Sequence, residues 1–384
     1  MTIFAVIPAR QRCGVSDYAG HLYSGAQFET GGIRLKKVPL NFWNCLKIPF
    51  AHADIVHLQH EYSIYGFAGC WGFLLFCYLL LLRLTGSKLV VTLHTIYNWD
   101  QAGQIFAHRT KSRLLIQTLR LYGKIYHRLI LLAASRVIFL SEGSKAAFVR
   151  IAPWADPKKL TVIPIGVYDL PIRDRNTAAL GMRHGIKPGE YVFTLFGFAF
   201  PNKGYHLAIE ALKILQAGNS DLKLLIVSGE PGEGGAQYLA SLKEMMQHFG
   251  LEKKVIFTGF IPFDDPLLDE ILLQTNCFLY PYLKESATSG SLATTLAARK
   301  IYITSDLEMF RDFTPGIKFR AGDVGDLAAK MLQVRQMNSA NLTACQDKLQ
   351  IYLSENNTEA MRKRHLDCFV QLLEKSPSKS LKIY

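Results

Sequence analysis

One ammonium and one carboxylate stand out for the chemistry they could do. Lys203 follows a strand-like run, Tyr191–Phe196 (YVFTLF), and a punctuating Gly197. It precedes Leu207, Ala208, Ala211, Leu212 and Leu215 at helical spacing. A helix N-terminus offers free N–H groups and the positive end of its dipole, so it suits an anion, and a lysine at its mouth adds a full charge. That combination points to a phosphate. Downstream, a run ending at Tyr280 opens into a loop carrying Glu285, and Ser289-Gly290-Ser291 begins the next helix. This second mouth suits a second anion, with Glu285 facing the same cleft. Either stretch alone also fits an ordinary surface loop; the two together argue for a site.

Histidines are the other candidates. His57 and His60, with Glu61, have the residue types of a metal site. Three residues apart on a strand, however, the two imidazoles point to opposite faces, which argues against a shared ion. His94 ends the run Lys88–Leu93 and is placed either to meet a ligand or to make a loop hydrogen bond. Gly14 lies where the first strand turns into a helix that Ser16 or Asp17 is suited to cap.

The elements that must carry these residues repeat in order. Thr2–Ile7, Asp54–Leu58, Lys88–Leu93, Arg136–Leu140 and Leu160–Ile163 read as buried strands, most of them separated by helical segments. A Pro/Gly/Arg/Asp-rich stretch over 169–191 reads as a linker. The pattern then restarts with Tyr191–Phe196, Lys223–Ser228, Lys254–Thr258, Cys277–Tyr280 and Lys300–Thr304. Two successive parallel α/β domains with a cleft between them are expected. Ligands collect beyond the carboxyl ends of such strands, where Gly14, His60, His94 and Ser141 lie. After Asp326 the chain reads as helical, over 327–336, 344–353 and 359–375, with a loose basic tail.

Composition narrows the function. The chain has 384 residues, 20% of them charged and 49% hydrophobic, which describes an ordered protein of two domains. Its net charge of +13 suits anionic substrates, an anionic membrane or nucleic acid. No RNA-binding aromatic signature, zinc-finger spacing or helix-turn-helix pattern is visible, so nucleic acid ranks last. Seven scattered cysteines without a CxxC pair fit a reducing compartment. The start, MTIFAVIPARQ, has neither a long apolar core nor a cleavage site for secretion. Phe73–Leu82 (FLLFCYLLLL) falls short of the roughly 20 residues a spanning helix needs, so a buried or interfacial helix is expected. Between Gln104 and Leu132, Arg109, Arg113, Arg120, Lys124, His127 and Arg128 share one helical sector, which suits either solvent or anionic lipid.

With GFAFPNKG at 197–204 and the Tyr280–Asp306 stretch in hand, the chain resembles the retaining glycosyltransferases of family 4, which have the GT-B fold of two Rossmann-like domains. VTLHT at 91–95, VIPIGV at 162–167 and IFTGFIP at 256–262 fall in the family's order, and CGVSDYA at 13–19 resembles its acceptor-side glycine loop. The resemblance covers nearly the whole chain. It implies an acceptor domain over 1–170, a nucleotide-sugar domain over 171–355, and a final segment, 356–384, crossing back to the first domain. It implies that Lys203 and the amides of Ser289, Gly290 and Ser291 hold the donor diphosphate beside Gly197. By the same resemblance Glu285 meets the transferred sugar, and Gly259, Phe260 and Ile261 lie near the nucleobase. Gly14 and His94 line the N-terminal wall near the pyrophosphate and the reacting sugar, His94 joining Glu285 and Lys203 as a catalytic residue, and both are acceptor contacts together with Asp17 and His60.

The departures are specific. Phe198 stands where the family often has an arginine or lysine, and Ala293 where a second glutamate usually holds the ribose, with the Thr294 hydroxyl beside it. A departing nucleoside diphosphate needs positive charge in the transition state, and one lysine with two helix dipoles supplies it without a metal or cofactor. Retention would ordinarily invite a carboxylate nucleophile. With no second carboxylate beside Glu285, attack by the acceptor from the leaving-group face is preferred. The expected activity is transfer of a hexose from a UDP- or GDP-sugar to a lipid-linked or envelope glycan such as a lipopolysaccharide, at the cytoplasmic membrane face. A nucleotide-sugar epimerase and a catalytically silent nucleotide-sugar-binding scaffold are the competing readings.

Overall fold

The computed structural model describes residues 1–8, 14–28, 32–66, 69–105, 111–167, 185–229, 233–262, 265–285 and 290–374, with backbone alone at 104–105 and 233–234. The chain divides into two compact units. The first is Met1–Gly166 with the segment from Thr358 onward; the second takes most of Val167–Asn357.

The first unit is built on six parallel strands: β1 (Thr2–Ile7), β2 (Arg34–Pro39), β3 (Ile55–His60), β4 (Lys88–Leu93), β5 (Arg136–Phe139) and β6 (Leu160–Val162), in the order β2-β1-β3-β4-β5-β6. The second has β7 (Tyr191–Phe196), β8 (Leu222–Val227), β9 (Val255–Phe257), β10 (Cys277–Tyr280), β11 (Ile301–Ser305) and β12 (Ile317–Phe319), in the order β12-β11-β10-β7-β8-β9. The order reverses between β1 and β3 in one sheet and between β7 and β10 in the other. Loops leaving those strands diverge and open a crevice at their carboxyl ends.

The edge strands β2 and β12 escape the sequence pattern for a physical reason. Arg34–Pro39 (RLKKVP) is exposed at four of its six positions, so it carries charge where an inner strand carries a hydrophobic run. Inner strands such as β3 and β8 are buried at every position, and β8 (LKLLIV) reads as a near-continuous apolar run.

In the first unit the longer helices are α1 (Gly14–Tyr23), α2 (Cys70–Leu79), α3 (Arg113–Ala133), α4 (Glu142–Ile151) and the chain's last helix, Thr358–Glu374. Side chains alternating along β3 show which helices cover which face. His57 touches Tyr23 of α1 and Phe369 of the last helix, whereas His60 meets Phe76 of α2 and Tyr126 of α3. The opposite-face expectation for the two histidines therefore holds. The last helix is also tied to α1 by the Arg362 guanidinium, which donates to the His21 carbonyl at 3.0 and 2.7 Å.

Two expectations for α3 need adjustment. Arg109 lies outside the described residues. His127 does not belong to the basic face: it is buried, and its Nε2 pairs with the Tyr62 hydroxyl at 2.7 Å. Among the described residues no helix is long and apolar enough to cross a membrane.

Candidate active site

In the second unit the residues expected to meet a diphosphate converge at the reversal point of the sheet. β7 ends at Phe196, and Gly197 follows at φ +113°, a conformation open to glycine. A methyl group there would press on Ser291, 3.1 Å away, and lie 3.5 Å from Lys203 Nζ. The three residues thus share one small space: strand exit, lysine, and first turn of the helix Gly290–Ala297. The Tyr205 hydroxyl donates to the Gly197 carbonyl at 2.9 Å and fixes that exit.

Lys203 is aimed by the backbone around it. Pro201–Lys203 forms a short turn, and Gly204, at φ +65°, starts the helix Tyr205–Leu215. The turn is bonded to the exit of β10, where Leu283 N–H donates to the Asn202 carbonyl at 2.8 Å. A side chain on Gly204 would overlap the Pro281 carbonyl oxygen. The Lys203 ammonium lies 5.6 Å over the Tyr282 ring and makes no hydrogen bond or ion pair among the described residues. It is held in place while its charge remains available.

That packing predicts the outcome of one small substitution. Gly204→Ala combines a left-handed backbone with a backbone overlap, so a loss of about 3 kcal/mol or more is expected. Urea unfolding checks it; an unchanged midpoint would mean that this turn does not pack against the β10 exit.

Glu285 is placed differently from the simplest expectation. Its Oε1 accepts the Glu308 N–H at 2.7 Å and its Oε2 the Met309 N–H at 3.0 Å. The exposed carboxylate therefore clamps the turn Glu308–Phe310 that follows β11, and each oxygen keeps a second lone pair for a ligand hydroxyl.

Thr294 is corrected. It is buried, and its hydroxyl donates back to the Gly290 carbonyl at 3.1 Å, so it is not presented to a ribose. Ala293 beside it is buried as well. Phe198 stacks on Phe260, the rings 9° from parallel and 6.1 Å apart. The position that often carries a cation is thus part of an aromatic pair, flanked by Gly259 at φ +79° and buried Ile261. Ser289 lies outside the described residues.

In the first unit, His94 follows β4 and is 8% exposed. Its Nε2 donates to Gln59 Oε1 at 2.8 Å, which leaves Nδ1 as the ring's acceptor. Behind Gln59, His57 bonds the Tyr23 hydroxyl and, at 2.8 Å, Thr92 Oγ1. The Tyr18 ring packs edge-on against His94 at 5.0 Å, and its hydroxyl meets His365 Nε2 at 3.2 Å. Burial, reinforced by neighbouring His365, pushes the His94 pKa down to about 3, so its imidazole is neutral near pH 7.

Gln59, Tyr18 and His365 escaped the sequence reading. The signal for Gln59 was its strand position two residues after His57, which puts both on one face. His60 is corrected: it is wholly buried, bonds the Tyr126 hydroxyl at 2.9 Å, and cannot meet an acceptor. Gly14 opens α1, and no described atom fills the space where its side chain would stand. Asp17 is exposed on the same turn, with its carboxyl pKa raised by partial desolvation. No cluster of three or more potential metal ligands occurs among the described residues.

Two family models match this chain in tandem. Glycosyltransferase Family 4 matches residues 15–169, and Glycosyl transferases group 1 matches residues 190–336. The chain belongs to glycosyltransferase family 4. A similar curated enzyme is the mannosylfructose-phosphate synthase of Agrobacterium fabrum, 34% identical over 113 residues. That match spans 28% of this chain and 24% of that enzyme. Among solved structures, Anabaena HepE in complex with UDP-glucose aligns with TM-score 0.72 and 15% identity, covering 97% of this chain and 100% of HepE. Sucrose-phosphate synthase from Thermosynechococcus elongatus aligns with TM-score 0.71 and 16% identity, covering 98% and 100%. These likenesses establish the fold, GT-B.

Proposed function

We propose that this family 4 member transfers a hexose, with retention of configuration, from a UDP- or GDP-sugar to a lipid-linked or envelope glycan at the inner face of the cell membrane. The observation carrying the donor half is the convergence of Gly197, Lys203 and Ser291 at the sheet's reversal point. Binding of UDP-glucose by HepE favours a uridine donor.

Lys203 and the N-terminus of the helix Gly290–Ala297 stabilise the diphosphate as it leaves, which is where negative charge grows. Glu285 uses its remaining lone pairs to orient the sugar hydroxyls. His94, a neutral imidazole with Nδ1 as acceptor, suits a hydroxyl of the acceptor substrate in the first unit. The acceptor attacks from the face the diphosphate vacates, and no metal or cofactor takes part in this proposal.

Glu285→Gln tests the assignment. Transfer is expected to fall about 10²-fold or more, while nucleotide affinity stays nearly intact. Because glutamine keeps one acceptor for the 308–309 turn, most of its geometry survives. Full transfer activity in that variant removes Glu285 from the site. A silent nucleotide-sugar-binding protein is the second reading, favoured by Phe198 and buried Ala293. Hydrolysis of a sugar nucleotide without acceptor decides between them.

A further inference from the structure

One layer of the first unit leaves large apolar side chains uncovered. It consists of the short helix Phe42–Leu46 with the turn Ile48–Phe50, then α2 and the turn Leu82–Thr85, then α3. These pieces are neighbours. The Tyr78 hydroxyl donates to the Leu46 carbonyl at 2.7 Å, and Phe73 of α2 stacks on Tyr122 of α3 at 5.2 Å.

Each piece buries one side in the core and turns apolar residues outward. Trp43 is 70% exposed, Phe50 71% and Leu84 85%. On α3, Leu114, Leu121 and Ile125 are exposed within one narrow sector, opposite buried Leu119, Tyr126 and Ile130. Isolated exposed apolar residues are ordinary, but several on adjoining elements mark an interaction surface.

Charge identifies the partner. Residues 62–141 contain nine Lys and Arg and one acidic residue, Asp100. That single carboxylate is paired with Lys124 at 2.9 Å. Lys47, Arg83 and Arg113 are exposed on the same elements as the apolar residues. Exposed aromatics and leucines flanked by cations suit the boundary between headgroups and acyl chains of an anionic bilayer.

We propose that this layer docks on anionic phospholipid, with Trp43 and Phe50 inserted below the headgroups. It deepens the membrane part of the proposed function and is independent of the transfer chemistry. Attachment is then apolar as well as electrostatic, so it survives salt that would release a purely basic face.

The test is sedimentation with phosphatidylcholine vesicles, with and without phosphatidylglycerol, at low salt and at about 0.5 M salt. Binding to the phosphatidylglycerol vesicles is expected, with a residue of binding at high salt and a blue shift of tryptophan emission that Trp43→Phe diminishes. Trp43→Ser with Phe50→Ser should weaken binding about tenfold or more. Both positions are exposed, and unaltered thermal melting and sugar-nucleotide hydrolysis would show the variant intact. Three outcomes overturn the proposal: no binding at low salt, binding indifferent to the double substitution, or a dimer that the double substitution splits into monomers. Vesicle binding without sugar-nucleotide turnover would instead sink the transferase reading and leave the membrane face standing.

Discussion

Replacing Lys203 by alanine is expected to slow sugar transfer about 10²–10³-fold, the range seen when one pre-aimed donor to a developing anion is removed. The ammonium lies beside the exit of β7, at a space that Ser291 of the Gly290 helix also borders, where leaving-group charge would gather. Its loss should appear in kcat, since the interaction strengthens as the bond to the diphosphate breaks. Stability should change by no more than about 1 kcal/mol, because the side chain gives up little beyond its approach to the Tyr282 ring. Steady-state kinetics with a sugar nucleotide, alongside thermal melting, checks both halves. Transfer at the wild-type rate would remove Lys203 from the chemistry and the diphosphate site with it.

The second large effect is acid sensitivity concentrated in the first unit. His57, His60, His94, His127 and His365 are buried there. Burial holds His60 and His94 down at about 3, His127 and His365 at about 4, and His57 well below its ordinary value of 6.5. Each folded-state value is depressed, so the unfolded chain takes up protons first as pH falls. The stability these groups carry is complete above about pH 6.5 and is lost progressively toward pH 4, at up to about 1.4 kcal/mol per pH unit for each. Five such groups can consume a typical stability of about 5–15 kcal/mol within a few pH units. In the second unit His206 is only partly buried, and its value is lowered by desolvation. Calorimetry from pH 7.5 to 4.5 should therefore show a transition of the first unit moving steeply downward while the other moves less. A melting profile flat across that range would mean that these imidazoles are hydrated or charged in the folded protein.

What could be read from the chain followed burial and chemical punctuation. The inner strands declared themselves because both faces are covered, and Gly197 and Lys203 because a glycine and a charge interrupt apolar runs. β2 stayed hidden because an edge strand can carry Arg34, Lys36 and Lys37 without leaving the sheet. His60 looked like a ligand at a strand end; its burial depends on Tyr126, 66 residues away. Glu285 stood out as a candidate in the sequence, but its amide partners lie 23 and 24 residues further along and leave no local trace. His127 fell in the basic sector by angle, and the Tyr62 hydroxyl and Trp99 indole on other elements draw it inside.

The last helix carries a consequence for synthesis. Arg362, His365 and Phe369 pack against α1 and β3, more than 300 residues earlier in the chain. The first unit therefore emerges from the ribosome long before its final packing partner exists. Until Thr358–Glu374 arrives, Tyr18 and His57 lack that cover, and the nascent segment waits in an incompletely closed state while the second unit is translated. Domains ordinarily fold in order of emergence; here the earlier-made one finishes last.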